Sequence, residues 1–140
     1  MEIYRLPALF DNYIFMLFDA ATQRAAVVDP AEPEPVLRQL KQLGATLTTI
    51  FNTHHHADHV GANRSLLQHF PDVMVYGGKV DRGRIPGQQV VLSENDRVAF
   101  AGREAHIYFL PGHTRAHIAY YFPPEMGDDW GEMFCGDTLF

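Results

Sequence analysis

Cysteine and basic residues are both scarce in this sequence, and each shortage excludes a class of protein. Cys135 is the single cysteine in 140 residues, so the chain cannot form an internal disulfide, and a reducing compartment, the cytoplasm, is expected. Lys and Arg number 11 against 17 Asp and Glu, which gives a formal net charge of -6. Because nucleic-acid-binding proteins normally carry a basic face, we expect no nucleic-acid partner.

Long hydrophobic runs are missing as well. No stretch approaches the roughly 20 apolar residues that a membrane helix requires, and the first residues lack the basic start and apolar stretch of a signal peptide. We therefore expect no membrane partner. Hydrophobic residues make up 46% of the chain and charged residues 20%, which is an ordinary globular composition. By length the chain is about one domain with a real core.

Hydrophobic spacing predicts two helices among several short strands. One helix begins near Pro33 and ends before Gly44, and a second covers residues 58–70. The other apolar segments are short, rich in branched and aromatic residues, and bounded by Asn, Asp, Gly or Pro, which is typical of strands. They cover residues 12–18, 25–28, 46–53, 73–76, 90–92, 98–100, 105–110, 118–122 and 132–136. This order predicts a layered α/β (α+β) fold with helices covering one side of a sheet.

Histidine, in contrast, is plentiful, with eight in the chain and four of them between His54 and His59. The cluster follows a predicted strand and opens a predicted helix. In extended backbone, His54 and His56 point to one side and can grip one ion, whereas His55 points away. Asp58 and His59 begin the helix and turn toward a neighbouring position, so two ions can share the turn. Imidazole and carboxylate ligands suit zinc, iron or manganese; the alternative is a solvated histidine-rich loop.

Two further candidate ligands follow other predicted strands. His113 comes just after the strand that ends near residue 110, beside Gly112, where the backbone can turn sharply. Asp137 follows the strand that contains Cys135. Strand ends that meet at one sheet edge would bring these groups to the histidine cluster. His117, four residues after His113, is expected either to be a core residue or to support the site.

These motifs resemble the metallo-β-lactamase superfamily, and within it the hydroxyacylglutathione hydrolase (glyoxalase II) family. The resemblance is carried by His54-x-His56-x-Asp58-His59, by Gly112-His113-Thr114 and by the ending Cys135-Gly136-Asp137-Thr138-Leu139-Phe140. It extends to Asp11-Asn12-Tyr13, Val28-Asp29-Pro30, Tyr76-Gly77-Gly78 and Arg84-Ile85-Pro86-Gly87.

The resemblance implies an αββα sandwich with two divalent metal ions, zinc first and iron or manganese as alternatives. The implied reaction converts S-D-lactoylglutathione and water to D-lactate and glutathione, a step in methylglyoxal detoxification, through a metal-bridging hydroxide that Asp58 orients. The implied ligands are His54, His56, His113 and Asp137 for the first ion, and Asp58, His59 and Asp137 for the second.

The family pattern continues past residue 140, with one more metal-binding histidine and a helical substrate-binding domain. We therefore expect residues 1–140 to be a metallo-β-lactamase-type domain truncated at its C-terminal end, with the second half of the sandwich incomplete and the helical domain absent. The second ion then lacks its last histidine, no substrate-binding residue can be assigned, and the isolated chain is expected to be weakly active or inactive.

Two alternatives stay open from the sequence. One is an iron-dependent persulfide dioxygenase of the same fold, with a single iron held by His54, His113 and Asp137 in an open site of two histidines and one carboxylate. The other is an inactive metal-binding fragment that associates with itself through apolar surface.

Overall fold

Two β-sheets organise the chain. The computed structural model describes residues 1–9, 12–110, 117–125, 127 and 130–136. The first sheet has six strands in the order β1 (Glu2–Ala8), β2 (Asn12–Asp19), β3 (Arg24–Val28), β4 (Thr46–Phe51), β5 (Met74–Gly78) and β6 (Val90–Leu92). The second sheet is antiparallel, with the spatial order β10-β9-β8-β7 for β7 (Arg97–Phe100), β8 (Arg103–Phe109), β9 (Ile118–Phe122) and β10 (Glu132–Phe134).

The helices lie in the crossovers of the first sheet. Helix α1 (Pro33–Leu43) connects β3 to β4, and α2 (Ala57–Val60) and α3 (Asn63–His69) connect β4 to β5. Because β3, β4, β5 and β6 run parallel, the residues that follow β3, β4 and β5 all emerge at one edge, here called the carboxyl edge. Ligands of open α/β sheets bind at this edge. Among the described residues, no helix is long and apolar enough to cross a membrane.

The core forms two layers, one on each face of the first sheet. On one face, Ile14, Val27 and Ile50 pack with Leu40 and Leu66 of the helices. Alternate strand residues point the other way, and there a second cluster joins the two sheets through a set that includes Leu17, Val28, Phe51, Ile107, Tyr120 and Phe122. The described layers are thus helix, sheet and sheet. This confirms the layered α/β prediction.

Helix α1 begins and ends as the sequence predicts. Two prolines stand in its first turn, where a missing N–H costs nothing. Gly44 closes the helix at a φ of 62°, and its N–H donates to the carbonyls of Leu40 and Lys41. A left-handed residue at this position is the usual end of a helix, and glycine adopts it without strain.

The predicted continuous helix over residues 58–70 is wrong, because the structure interrupts it after Val60. Gly61 passes so close to the loop after β3 that a Cβ there would lie 2.3 Å from the Ala31 carbonyl oxygen. The N–H of Ala62 donates to the Pro30 carbonyl at 2.9 Å instead of continuing a helical ladder. This tertiary contact divides the segment into α2 and α3 and places the start of α2 at the carboxyl edge.

Strand β1 is a further difference, since the sequence patterning did not predict it. It pairs antiparallel with β2, with Leu6 opposite Ile14, and Pro7 within it weakens the strand signal because proline cannot donate to the ladder. The pairing extends the sheet beside the hairpin that carries Asn12.

Candidate metal centre

Polar side chains that follow β3 and β4 are buried together at the carboxyl edge. A buried polar group is costly unless it is hydrogen-bonded, so the partners of these groups define the site. The buried members are Asp29, Asn52, Thr53, His54 and His59, each at most 5% exposed.

Asp29 is the centre of this group. Its backbone takes a φ of 50°, a left-handed conformation that Asp tolerates better than most residues. One carboxylate oxygen accepts from the Thr53 N–H at 2.8 Å. The other accepts from the Thr53 hydroxyl at 2.6 Å and from Nδ1 of His59 at 3.0 Å.

The same bonds fix which nitrogen of each imidazole carries the proton. The Thr53 hydroxyl gives its hydrogen to Asp29, so in the 2.9 Å contact between Thr53 and His54 the donor is Nδ1 of His54. His59 likewise donates from Nδ1 to Asp29. Both rings, when neutral, therefore carry their lone pair on Nε2. Imidazoles that bind metals through one nitrogen usually donate from the other to a fixed acceptor.

His54 is held in this neutral form. Burial lowers the pKa of His54 to about 4, because the interior disfavours the charged ring and the neighbouring Asp29 offsets this only in part. A neutral imidazole is the form that binds a metal ion, so His54 does not have to lose a proton first at neutral pH.

The candidate ligands lie within reach of one another. Potential ligand atoms of Asp29, His54 and His59 all fall within 4.8 Å of each other. The ring of His54 is 4.2 Å from that of His59 and 4.6 Å from that of His56, measured between centroids. Asp58 brings a carboxylate oxygen to 3.5 Å from Nε2 of His59. This is a donor set of imidazole and carboxylate that suits a divalent ion of the zinc or iron type.

Asn12 orients Asp58 from the other side of the site. Its side-chain amide donates to the Asp58 carbonyl at 3.1 Å and to a carboxylate oxygen at 3.3 Å. Partial burial raises the pKa of the Asp58 carboxyl, but the bond from Asn12 and the nearby His59 outweigh it, so the net shift is downward. Asp58 therefore stays ionised at neutral pH.

Four of the six predicted ligands are brought together by the described part of the structure. His54, His56, Asp58 and His59 meet at the carboxyl edge, with His54 and His59 buried, Asp58 partly exposed and His56 exposed. His113 and Asp137 lie outside the described residues, so their assignment stays a prediction.

Asp29 is the member of the candidate site that patterning from the sequence missed, although the stretch around it contributes to the resemblance. Both of its oxygens already accept hydrogen bonds from the protein, which suits it to orienting His59 better than to ligating an ion. The available signal was a carboxylate placed directly after a buried strand.

The floor of the site comes from the second sheet. His117 is 1% exposed, stacks on His54 with 4.6 Å between ring centroids, and forms a hydrogen bond from Nε2 to the Cys135 carbonyl. Tyr120 donates its hydroxyl to the Asn52 carbonyl at 2.7 Å. Gly136 passes so close that a Cβ there would lie 2.6 Å from the Thr53 hydroxyl. The two sheets thus enclose the polar cluster between them.

Comparison with known proteins first identifies the superfamily to which the chain belongs. The family model of the metallo-beta-lactamase superfamily matches residues 12–140, and the chain belongs to this superfamily. It is also 29% identical to the crystal structure of ETHE1 from Myxococcus xanthus, with a TM-score of 0.70 over 87% of this chain and 54% of that one. A structure of TTHA1623 in a di-iron-bound form is 25% identical, with a TM-score of 0.64 over 83% of this chain and 64% of that one.

The curated relatives then point to one kind of protein within that class. Over 100% of its length the chain is 68% identical to the hydroxyacylglutathione hydrolase of Acaryochloris marina, and it covers 54% of that protein. The chain therefore spans about half the length of the curated relatives it matches. A superfamily membership and a buried set of His and Asp donors agree in making the carboxyl edge a candidate site for divalent metal.

Proposed function

We propose that this chain is the metal-binding part of a hydroxyacylglutathione hydrolase, which splits S-D-lactoylglutathione with water into D-lactate and glutathione. The proposal is supported most directly by the hydrogen-bonded series His54–Thr53–Asp29–His59, which leaves two imidazole lone pairs on Nε2 at one sheet edge. The high identity to hydroxyacylglutathione hydrolases along the whole chain supports the choice of substrate.

Two divalent ions, zinc in the first place, fit the donors at the carboxyl edge. His54 and His56 would hold one ion together with His113 and Asp137, and Asp58 and His59 would hold the other with Asp137. Bound ions of this kind lower the pKa of a coordinated water and polarise a carbonyl oxygen.

The residues of the chain contribute orientation and charge. Asp29 and Thr53 fix His59 and His54, so the ligand nitrogens lose little freedom when they bind. Asp58, kept ionised and held by Asn12, can accept a hydrogen bond from the attacking water and hold it in line with the thioester carbonyl. The leaving group is a thiolate, a weaker base than an alkoxide, so the chemistry does not require a strong general acid.

The test is hydrolysis of S-D-lactoylglutathione, followed by loss of the thioester absorbance, in the protein that contains this chain. We expect turnover that disappears when a chelator removes the metal and returns when zinc is added back. His59→Gln is expected to abolish it, whereas His69→Gln, on the exposed end of α3, is expected to leave it unchanged.

Absence of turnover in the metal-saturated protein, or turnover that ignores the chelator, contradicts the proposal. Oxygen consumption on glutathione persulfide with a single bound iron would identify the dioxygenase alternative instead.

A further inference from the structure

His55 stands between two predicted ligands but faces away from them. Its Nδ1 donates to a carboxylate oxygen of Asp81 at 2.7 Å. The partners differ in exposure, since the His55 side chain is 32% exposed and that of Asp81 is 0% exposed. The bond joins positions 26 residues apart in the chain, so it ties the histidine loop after β4 to the segment after β5.

Burial of the Asp81 carboxylate costs folding free energy. Its second carboxylate oxygen, Oδ2, has no hydrogen-bond partner among the described residues, and Nη1 of the exposed Arg84 is 3.9 Å from Oδ1. Burying a carboxylate with one oxygen unpaired is unfavourable. The hydrogen bond to His55 is the contact that offsets part of the cost of burying this carboxylate.

Packing on β5 and side-chain hydrogen bonds hold the segment that carries Asp81 in place. Ile85 is 4% exposed and packs on β5 so closely that a Cβ at Gly77 would lie 2.5 Å from its Cδ1. The side-chain amide of Asn63 donates to the Pro86 carbonyl at 3.0 Å, and that of Gln88 donates to the Gly78 carbonyl at 3.2 Å. Residues 79–88 thus form a fixed support, here called the 79–88 support, with Asp81 at its start.

We propose that Asp81 and His55 are a positioning pair, in which the 79–88 support holds His55 and thereby sets the backbone between the predicted ligands His54 and His56. The proposal rests on the metal site proposed above. Under this proposal the stretch Arg84–Gly87, whose sequence contributes to the resemblance, helps to hold Asp81 against His55.

The pair matters most for His56. His54 is buried and fixed by Thr53, whereas His56 is exposed and its ring lies edge-on to His55 with 5.2 Å between centroids. His59 is held separately through Asp29. Loss of the pair is therefore expected to weaken the ion at His54 and His56 more than the ion at Asp58 and His59.

The experiment is a competition titration of the metal-free protein with zinc and a chromogenic chelator. His55→Leu and Asp81→Leu are each expected to weaken the first ion by about 10- to 100-fold, the usual range for residues that orient ligands. The double variant is expected to lose no more than either single variant, because both remove the same contact. His69→Leu, on the surface of α3, is the matched control and should leave zinc affinity unchanged.

Conservative variants and a metal-free spectrum separate positioning from folding. His55→Asn keeps a donor nitrogen at the position of Nδ1, and Asp81→Asn can still accept from His55, so both are expected to recover most of the affinity. In nitrogen-15 NMR spectra of the metal-free protein, His55 should carry its proton on Nδ1, and Asp81→Leu should abolish that preference.

Folded variants with unchanged affinity, or single-variant losses that add in the double variant, overturn the positioning pair while the proposed hydrolase stands. An unsubstituted protein that binds no zinc overturns the proposed function, and the pair with it. Loss of the Nδ1 proton preference together with weaker zinc binding supports the pair.

Discussion

The two edges of the first sheet carry similar residue types in very different states. At the carboxyl edge, Asp29 and Thr53 are buried and bonded to each other and to two histidines. At the opposite edge, Asp19, Thr22 and Arg24 border an open hollow of about 520 Å³, and Thr22 and Arg24 are exposed. The bonds of Asp19 reach two and three residues along the chain, whereas those of Asp29 reach 24 and 30.

This difference shows that residue type alone does not mark the site. A short-range bond such as that of Asp19 forms in a turn and needs no particular fold. The bonds of Asp29 exist only when β3, β4 and α2 are assembled, so the fold itself builds the donor arrangement. Within the part of the chain that the structure describes, the one group of closely spaced potential metal ligands lies at the carboxyl edge.

The largest expected effect comes from a ligand at the carboxyl edge. His59→Gln removes an imidazole that Asp29 holds ready, and we expect zinc affinity to fall by at least about 100-fold, or roughly 2.7 kcal/mol. Competition with a chelator measures it. The matched variant Arg24→Gln at the opposite edge should leave affinity within error, and equal losses in the two variants would remove the distinction between the edges.

The second effect is on stability and compares two aspartates. Asp29→Asn places an amide where the Thr53 hydroxyl and the His59 N–H both donate, so one donor faces another. We expect the metal-free protein to lose about 2–3 kcal/mol of unfolding free energy, because buried groups are left unpaired. Asp19→Asn should cost under about 0.5 kcal/mol, as is usual for surface positions. Denaturant unfolding measures both, and a cost at Asp19 that matches Asp29 would show that burial is not the cause.

The third effect compares two glycines. Gly61→Ala forces a methyl group to within 2.3 Å of the Ala31 carbonyl oxygen, and overpacking of this kind costs about 2 kcal/mol. Gly102, in the turn between β7 and β8 that borders the same hollow as Asp19, has a φ of 74° and open space around it, so Gly102→Ala should cost about 1 kcal/mol through backbone strain alone. Thermal unfolding of the two variants gives the comparison, and a harmless Gly61→Ala would mean that the break between α2 and α3 has another origin.

The smallest effect concerns Asn12. Without its hydrogen bonds, Asp58 loses orientation, and we expect Asn12→Ala to lower kcat about 10-fold, or roughly 1.4 kcal/mol, with KM little changed. The acid limb of the pH profile should also move to higher pH, because the lost bond is one that lowers the pKa of Asp58. Gln42→Ala, on the exposed face of α1, is the control. An unshifted acid limb would contradict the role given to Asn12.

Local features of the fold and the site follow from the sequence, and long-range ones do not. The spacing His54-x-His56-x-Asp58-His59 puts these predicted ligands on one short segment, so their closeness in the fold follows from the local sequence. The hydrogen-bond partners in this segment come from far along the chain: Asp29, which bonds to His59, is 30 residues away, and Asp81, which bonds to His55, is 26 residues away. A single sequence carries no direct signal for such pairs.

Prediction of the helices succeeds and fails for the same reason: local signals can be read from the sequence, and long-range contacts cannot. The bounds of α1 depend on its own prolines and on Gly44, and the prediction matches the structure. The break after Val60 depends on the Ala31 carbonyl, which belongs to another part of the chain, and the prediction of one continuous helix fails there. His113 and Asp137 were predicted from strand ends, and they lie outside the described residues.

Anomalous X-ray diffraction from zinc-loaded crystals of the protein tests the central claim most directly. The account predicts one anomalous peak about 2.1 Å from Nε2 of His54 and another at about the same distance from Nε2 of His59, as expected for zinc bound by imidazole. Strong peaks at the opposite edge, beside Asp19, or no peak at the carboxyl edge of metal-saturated crystals, would contradict it.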